Sequence, residues 1–188
     1  MIAVAEKFTY SKYLQLDDDR RYEIIDGELF DISPAPTLKH QAISRNLQRL
    51  IIDYVYSKKL GHVFNAPSDV RFDEYNVVQP DLIFVSHANE GILTERNING
   101  SPDLLVEILS PSTFHHDQER KKALYEKFGV KEFWVVDPAN EVIDIFALNN
   151  GKYELLAFAS QKGTVDSSVL KGFSVTIEQI RAKEFDKK

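Results

Sequence analysis

The sequence has no cysteine and no long apolar run, and both absences narrow what the protein can be. Without cysteine there is no disulfide bond and no thiolate metal site. No stretch approaches the ~20 consecutive apolar residues that a membrane-spanning helix needs, so we expect no membrane segment. The opening residues, MIAVAEKFTYSKY, meet a charge after five residues and lack the apolar region of a signal peptide. We therefore expect a cytoplasmic protein.

Basic residues are outnumbered, with 23 Lys and Arg against 29 Asp and Glu and a formal net charge of -6. Affinity for nucleic acid comes mainly from Lys and Arg that neutralise phosphates, so this balance counts against strong nonspecific binding. A local basic surface can nevertheless coexist with acidic faces elsewhere. The candidate residues for such a surface, which on helices often form plain solvated faces, are Lys39, Arg45, Arg49, Lys58, Lys59, Arg120, Lys121, Lys122, Lys127 and Lys131.

Length and hydrophobic periodicity predict one domain over residues 1–188, with a mixed α/β (α+β) fold whose core covers about residues 37–137. The order of helices and strands from residue 37 is compatible with a mixed sheet that has helices on its faces. The predicted elements are a helix over 8–16, a hairpin turning at Asp26-Gly27, a helix over 37–59, strands over 62–72, 79–85 and 103–109, a helix over 117–128, a strand over 132–137, a C-terminal hairpin over 142–158, and a short strand and helical turn after Gly172.

Two acidic residues stand in strands that are otherwise apolar, the pattern of central strands covered on both faces of a sheet. Asp81 precedes LIFV and Glu107 lies inside the run LLVEIL. Alternation directs Glu107 to the face of Leu105 and Leu109, and an unpaired buried carboxylate costs several kcal/mol. Asp81 taken alone fits a hydrated carboxylate at the edge of a strand, and Glu107 taken alone fits a salt bridge to Lys or Arg. The alternative is that both acids belong to one site.

Lys121 is placed on the apolar face of the helix predicted over 117–128. Helical periodicity aligns it with Leu124, Tyr125 and Phe128. Its long stem can carry the amine toward the ends of the strands. Lys121 is therefore either a salt-bridge partner or a catalytic cation.

A divalent cation would explain why two carboxylates come together, because two such groups otherwise repel and one takes up a proton. Hard oxygen ligands select Mg²⁺ or Mn²⁺, and such sites keep bound waters. A metal that activates water, with a lysine that steadies the nucleophile or the developing charge, hydrolyses phosphodiesters. The hypothesis is a Mg²⁺ or Mn²⁺ site held by Asp81 and Glu107.

The order of elements, with an Asp after proline and a Glu about 26 residues later, resembles the PD-(D/E)XK nuclease superfamily. The segments RYEIIDGELFDISPAPTLKHQ, APSDVRF, VVQPDLIFVS, PDLLVEILSPST and KKALYEKFGVKEFWVVDP resemble the Uma family of restriction endonucleases, over nearly the whole chain. The resemblance implies a restriction endonuclease-like fold, a DNA substrate, and Asp81 and Glu107 as metal ligands. One departure is Leu109, which stands where the superfamily usually has its lysine. Lys121 instead matches the Uma pattern of a lysine four residues before tyrosine.

Two further residues are secondary candidates for the active site. Glu23 alternates with Tyr22 and Ile24 in the first hairpin and is either a third carboxylate or an exposed strand acid. His40 falls on the apolar stripe of the long helix and is either a hydrogen-bonded core or cap residue, or an acid, base or ligand. Asp69 is a strand or turn acid that could support the site from outside. The hydroxyls of Ser110, Ser112 and Thr113 are expected to shape a turn and cap the next helix.

The favoured function is a Mg²⁺-dependent endonuclease that acts on DNA, although nothing in the residues separates DNA from RNA. The alternative is a noncatalytic binding or assembly module with a nuclease fold. The net charge, Leu109 and the apolar edge of the C-terminal hairpin, which could pair with a second copy, favour this alternative. A homodimer suits both, because two sites related by a twofold axis can cleave both strands of a duplex.

Overall fold

The computed structural model describes residues 6–18, 20–32, 36–110 and 116–185. The helices are α1 Tyr10–Tyr13, α2 Leu38–Lys58, α3 His116–Lys127 and α4 Ile177–Ile180, with 3₁₀ helices at His87–Ile92 and Lys183–Phe185. The strands are β1 Tyr22–Ile25, β2 Glu28–Asp31, β3 Gly61–Asn65, β4 Val70–Asp73, β5 Asn76–Val78, β6 Leu82–Ser86, β7 Ile98–Asn99, β8 Leu104–Ile108, β9 Glu132–Asp137, β10 Val142–Asn149, β11 Lys152–Ser160, β12 Thr164–Asp166 and β13 Ser174–Thr176. None of the helices in the described ranges combines the length and the apolar character needed to cross a bilayer.

The N-terminal hairpin forms as predicted. Asp26 and Gly27 have φ angles of 50° and 83°, which is the left-handed conformation that a two-residue hairpin turn requires and that Asp-Gly adopts readily. The sequence did not predict β5, which pairs with β1 through Ile24 and Val77 and also with β4. The hairpin therefore belongs to a five-stranded sheet in the order β2-β1-β5-β4-β7, in which β4 and β7 are parallel.

A six-stranded mixed sheet, in the order β11-β10-β9-β8-β6-β3, forms the centre of the fold. Strands β8 and β9 are parallel, because α3 carries the chain back between them, and the other neighbours are antiparallel. The apolar strands β6 and β8 lie side by side inside the sheet, as predicted. The strand predicted over 62–72 is two strands, with β3 at the edge of this sheet and β4 in the five-stranded sheet. The chain crosses from one sheet to the other through the cis bond Ala66-Pro67.

Two helices cover opposite faces of the six-stranded sheet. Alternate residues of β6 divide between two cores, so that Leu82 and Phe84 cluster with Leu47 and Ile51 of α2. The intervening Ile83 and Val85 cluster with Leu124 and Tyr125 of α3. Side chains at the end of β6 can therefore be reached from either helix.

The C-terminal hairpin of β10 and β11 extends the sheet at one edge, as predicted. Strand β10 alternates buried and half-buried residues, whereas β11 leaves Leu155, Leu156 and Phe158 exposed by 57%, 45% and 56%. The strand and helical turn predicted after Gly172 are β13 and α4, and α4 begins with a capping box formed by Thr176 and Gln179. The short strand β12, which pairs with β13, was not predicted.

Candidate functional site

The pairing of β6 with β8 places Asp81 opposite Glu107. The last paired residues are Leu82 and Val106, and one further step of the same antiparallel register aligns the two acids. Residues opposite each other in such a pair share a face of the sheet, with Cβ atoms about 5 Å apart. Oδ2 of Asp81 also accepts a hydrogen bond of 2.7 Å from the backbone N–H of Ile108. The two carboxylates therefore project at the same end of the sheet.

Lys121 is buried and reaches this end of the sheet from α3. Its Nζ donates a hydrogen bond to Oε1 of Glu23 at 2.8 Å and lies 3.2 Å from each oxygen of Glu107. The buried side chains of Leu124 and Tyr125 anchor the same face of α3, which is the face that periodicity assigned to Lys121. Both interpretations of Lys121, as a salt-bridge partner and as a cation of the site, remain compatible with this position.

Tyr125 contacts the site as well, and its role was missed in the sequence. Its hydroxyl donates a hydrogen bond of 2.6 Å to Oε1 of Glu107. The sequence indicated only that Tyr125 packs inward. The sequence feature that could have predicted this contact is the spacing of four residues between Lys121 and Tyr125, which places both side chains one turn apart on one face of the helix.

Glu23 is buried, with 1% of its surface exposed, so its interpretation as an exposed strand acid is wrong. Besides Lys121, its Oε1 accepts a hydrogen bond of 2.8 Å from the backbone N–H of Gln79. Its Oε2 is buried and has no hydrogen-bond partner among the residues that the structure describes. The five-stranded sheet thus contributes a third carboxylate beside Lys121.

His40 approaches the same place from the first turn of α2. Thr37 caps this helix, and its hydroxyl oxygen accepts a hydrogen bond of 3.2 Å from the backbone N–H of His40. The buried imidazole has its Nε2 2.9 Å from the carbonyl of Ile108 and 3.3 Å from Oδ2 of Asp81. A proton on Nε2 is required by the carbonyl acceptor. His40 is therefore a hydrogen-bonded core residue that also touches Asp81.

Asp69 supports the site indirectly. Its Oδ1 accepts a hydrogen bond of 2.9 Å from the side chain of Gln79, and its Oδ2 accepts one of 3.1 Å from the hydroxyl of Tyr10. Since the backbone of Gln79 binds Glu23, Asp69 helps to hold the loop before Asp81. The predicted capping residues Ser112 and Thr113 lie outside the described residues.

The site carries more negative than positive formal charge, with Glu23, Asp81 and Glu107 around Lys121. Burial raises the pKa of Glu107 to about 8; Lys121 opposes this rise, and the charges of Glu23 and Asp81 add to it. Burial lowers the pKa of His40, but the hydrogen bond and charge of Asp81, together with the Ile108 carbonyl, outweigh it and raise that pKa above its usual value.

The residues present fit a hard divalent cation. The surplus of carboxylate charge and the unpartnered Oε2 of Glu23 are features that a cation would compensate. The side chains of Asp81 and Glu107 are 18% and 14% exposed, so both can be reached from solvent. Within the described ranges, no three His, Asp or Glu ligand atoms here lie within 4.8 Å of one another. Asp81 and Glu107 could hold such an ion only with waters or phosphate oxygens as further ligands, which is usual for Mg²⁺.

Besides Lys121, five of the basic residues considered for a nucleic-acid surface pair with acids in the structure. Arg45 bonds Glu184 at 2.9 Å, beside a groove of about 460 Å³ between α2 and the C-terminal segment. The charges of these basic residues are therefore partly compensated, which weakens the basic surface that the sequence allowed. The other four pairs are Arg49 with Asp53, Arg120 with Glu28, Lys127 with Asp26, and Lys131 with Asp103.

Comparison with known proteins gives a family and a similar fold. A sequence model of the Uma2 family, described as "Putative restriction endonuclease", matches residues 10–178, a range that includes every residue of the site. The fold is similar to a crystal structure described as a putative nuclease belonging to DUF820 from Anabaena variabilis, with a TM-score of 0.75 and 20% sequence identity over 92% of this chain and 97% of that chain. A comparison with curated proteins found no match.

Proposed function

The chain belongs to the Uma2 family, described as "Putative restriction endonuclease", and from this premise we propose that it is a Mg²⁺-dependent endonuclease that hydrolyses DNA phosphodiester bonds. The observation that carries the proposal is the opposed pair Asp81 and Glu107 at one end of the sheet, with the amine of Lys121 beside Glu107. Cleavage of supercoiled plasmid DNA in the presence of Mg²⁺ or Mn²⁺ tests the activity itself.

Each residue of the site has a distinct part in this proposal. Asp81 and Glu107 would hold the cation, which when bound polarises a phosphate oxygen and lowers the pKa of an attacking water. Tyr125 fixes Glu107 through its 2.6 Å hydrogen bond, and His40 orients Asp81. These two residues are positioning residues, because they act through the carboxylates.

Lys121 would stabilise negative charge on the phosphate. Its amine is shared between Glu23 and Glu107, so engagement of Glu107 with a cation would release the amine from one partner. Glu23 would still hold the amine near the reacting phosphate. This arrangement gives Glu23 a role in positioning Lys121 and does not require Glu23 to be a metal ligand.

The pKa of Glu107 gives a prediction for metal binding. Because burial and the neighbouring carboxylates raise this pKa to about 8, the free protein at pH 6.5 holds a proton on Glu107 that a cation must displace. We expect Mg²⁺ affinity to rise by up to about tenfold per pH unit from pH 6 toward pH 8 and to level off above it. Calorimetric titration in buffers of different ionisation enthalpy should detect release of nearly one proton at pH 6.5.

The matched variant for this titration is Glu107→Gln, which keeps the shape of the side chain and removes its charge. It should lose both the proton release and most of the Mg²⁺ affinity. An affinity that does not change between pH 6 and pH 9 in the wild-type protein would contradict the assignment of Glu107 as a ligand.

A noncatalytic module remains the second candidate, and two observations favour it. Glu107 is already bonded by Lys121 and Tyr125, and five candidate basic residues besides Lys121 are paired with acids. Such a module would use the nuclease fold for binding or assembly. Absence of heat from either Mg²⁺ or Mn²⁺ in the calorimetric titration would favour the module over the enzyme.

We also propose that the protein is a homodimer that pairs through β11. This strand ends the order of the six-stranded sheet and exposes Leu155, Leu156 and Phe158. Antiparallel pairing with β11 of a second copy would satisfy backbone groups of the edge strand and cover apolar side chains. Sedimentation equilibrium should show a dimer for the wild type and a monomer for Phe158→Glu. A monomeric wild type, or a dimer that survives this substitution, would refute the proposal.

A further inference from the structure

His62, His87 and Glu90 meet on the surface at the other end of β6 from Asp81. Each offers one ligand atom, and the three atoms lie within 4.8 Å of one another. At about 3.3 Å per residue, this cluster is roughly 15–20 Å along the strand from Asp81. The cluster is therefore separate from the carboxylate site.

Backbone pairing holds the two histidines side by side. In the ladder between β3 and β6, His62 lies opposite Val85, and the backbone N–H of His87 donates a hydrogen bond of 3.0 Å to the carbonyl of Leu60. His87 is two residues beyond Val85 and thus shares the face of His62. The centroids of the two imidazole rings are 5.2 Å apart, and the rings are nearly perpendicular at 83°.

Glu90 is brought over His87 by the 3₁₀ helix His87–Ile92. With three residues per turn, residues at positions i and i+3 of such a helix are eclipsed. Oε2 of Glu90 lies 3.0 Å from Nδ1 of His87 and 3.5 Å from Nε2 of His62. The hydrogen bonds from His87 and then His62 hold the pKa of Glu90 below its usual value. One carboxylate oxygen thus faces two imidazole nitrogens.

We propose that His62, His87 and Glu90 bind a divalent transition-metal ion, with Zn²⁺ the best match. Two imidazole nitrogens and one carboxylate oxygen form a three-ligand set that leaves a fourth position for water or an acidic ligand. Imidazole ligands favour Zn²⁺, Ni²⁺ or Cu²⁺, whereas Mg²⁺ prefers oxygen. The site therefore differs in selectivity from the Asp81–Glu107 pair.

The three side chains can adjust to an ion that arrives from solvent. They are 37%, 52% and 56% exposed, in the order His62, His87, Glu90. Tetrahedral zinc with ligand distances of about 2.0–2.2 Å holds its ligand atoms roughly 3.3–3.6 Å apart. Oε2 of Glu90 already lies 3.0 Å and 3.5 Å from the two imidazole nitrogens, so small side-chain rotations admit the ion while the backbone pairing stays in place. A bound ion would tie the edge strand β3 to the 3₁₀ helix and protect that edge of the sheet.

The test is titration of chelator-treated protein without an affinity tag. Isothermal calorimetry with Zn²⁺ should give one site per chain in the wild type and also in Glu107→Gln, which removes a ligand of the other cation site. Visible absorption after addition of Co²⁺ should report a low-symmetry site that Zn²⁺ displaces and Mg²⁺ does not. Zinc that the Glu107→Gln variant binds and that His62→Ala in the same background no longer binds belongs to the histidine site, so the result does not depend on the nuclease proposal.

His62→Ala and His87→Ala should each weaken Zn²⁺ binding by at least about tenfold and remove the Co²⁺ absorption. Both residues are partly exposed on the surface, so the variants should unfold at the wild-type temperature in metal-free buffer. The double variant His115→Ala/His116→Ala is the matched control and should bind like the wild type. Zinc binding that is unchanged by His62→Ala and His87→Ala, or that is lost in the His115 and His116 variant, would overturn the proposal.

Discussion

Replacement of Asp81 by alanine should abolish Mg²⁺-dependent DNA cleavage, with a fall in rate of about 10³-fold or more. A bound cation supplies several kcal/mol of transition-state stabilisation, and each 1.4 kcal/mol is about tenfold in rate. In the proposed site, loss of Asp81 leaves Glu107 as the one remaining direct ligand. The measurement is the rate of nicking of supercoiled plasmid at saturating Mg²⁺, with Mn²⁺ in a parallel series.

The substitution also removes the hydrogen bond that Asp81 accepts from Ile108. This loss should cost about 1 kcal/mol of stability, so the variant should remain folded at 25 °C. The matched control is Asp53→Ala, the same change at an exposed position of α2 that is remote from the site. Equal activity of Asp81→Ala and the wild type would contradict the assignment of Asp81 as a metal ligand. A wild-type protein that cleaves neither DNA nor RNA with either metal would exclude the proposed nuclease activity.

Replacement of Lys121 by methionine should lower the free energy of unfolding by about 3–5 kcal/mol. The amine is buried between Glu23 and Glu107, and the removal of one partner from a buried ion pair leaves charge without compensation. Methionine keeps most of the side-chain volume, so the loss of stability reflects the missing charge and hydrogen bonds more than a change in packing. Urea unfolding at pH 8 in metal-free buffer measures this difference.

A second substitution should recover part of that stability. In Lys121→Met, Glu107 loses the cation that lowers its pKa, so at pH 8 it must take up a proton when the protein folds. Glu107→Gln removes that requirement, so Lys121→Met/Glu107→Gln should be more stable than Lys121→Met alone. The matched control is Lys122→Met, in which the neighbouring lysine lies over the ring of Phe146 at 3.5 Å and should cost about 1 kcal/mol or less. If Lys121→Met costs no more than Lys122→Met, the amine does not hold the site together.

The parts of the site that sequence could predict rest on local patterns. The apolar strands around Asp81 and Glu107 indicated their central place in a sheet, and alternation indicated the face of Glu107. Helical periodicity placed Lys121 with Leu124 and Tyr125 on the inner face of α3. Each of these inferences uses residues within a few positions of one another.

The parts that were missed depend on contacts between distant segments. Burial of Glu23 follows from pairing of β1 with β5, a strand of three residues that is too short to show a period. The crossing of the chain between sheets at Pro67 likewise separates β3 from β4, which the sequence predicted as one strand over 62–72 with an interruption at Pro67. The hydrogen bond from Tyr125 to Glu107 requires both the strand register and the helix position.

Charge was also only partly predictable. The formal charge of -6 indicated an acidic protein, but it gave no information about which cations are paired. In the structure, Arg45 contacts Glu184 across 139 positions of sequence. Such pairs decide how much basic surface is left for a phosphate backbone, and they follow from the tertiary fold.

A crystal structure of the protein soaked in Mn²⁺, with data collected to record its anomalous scattering, would show whether Asp81 and Glu107 bind a cation together. We predict an anomalous peak at about 2.0–2.3 Å from one oxygen of Asp81 and one of Glu107, with the amine of Lys121 still bonded to Glu23. A map with no peak between these carboxylates, and with Lys121 still bridging Glu23 and Glu107 at millimolar Mn²⁺, would contradict this prediction.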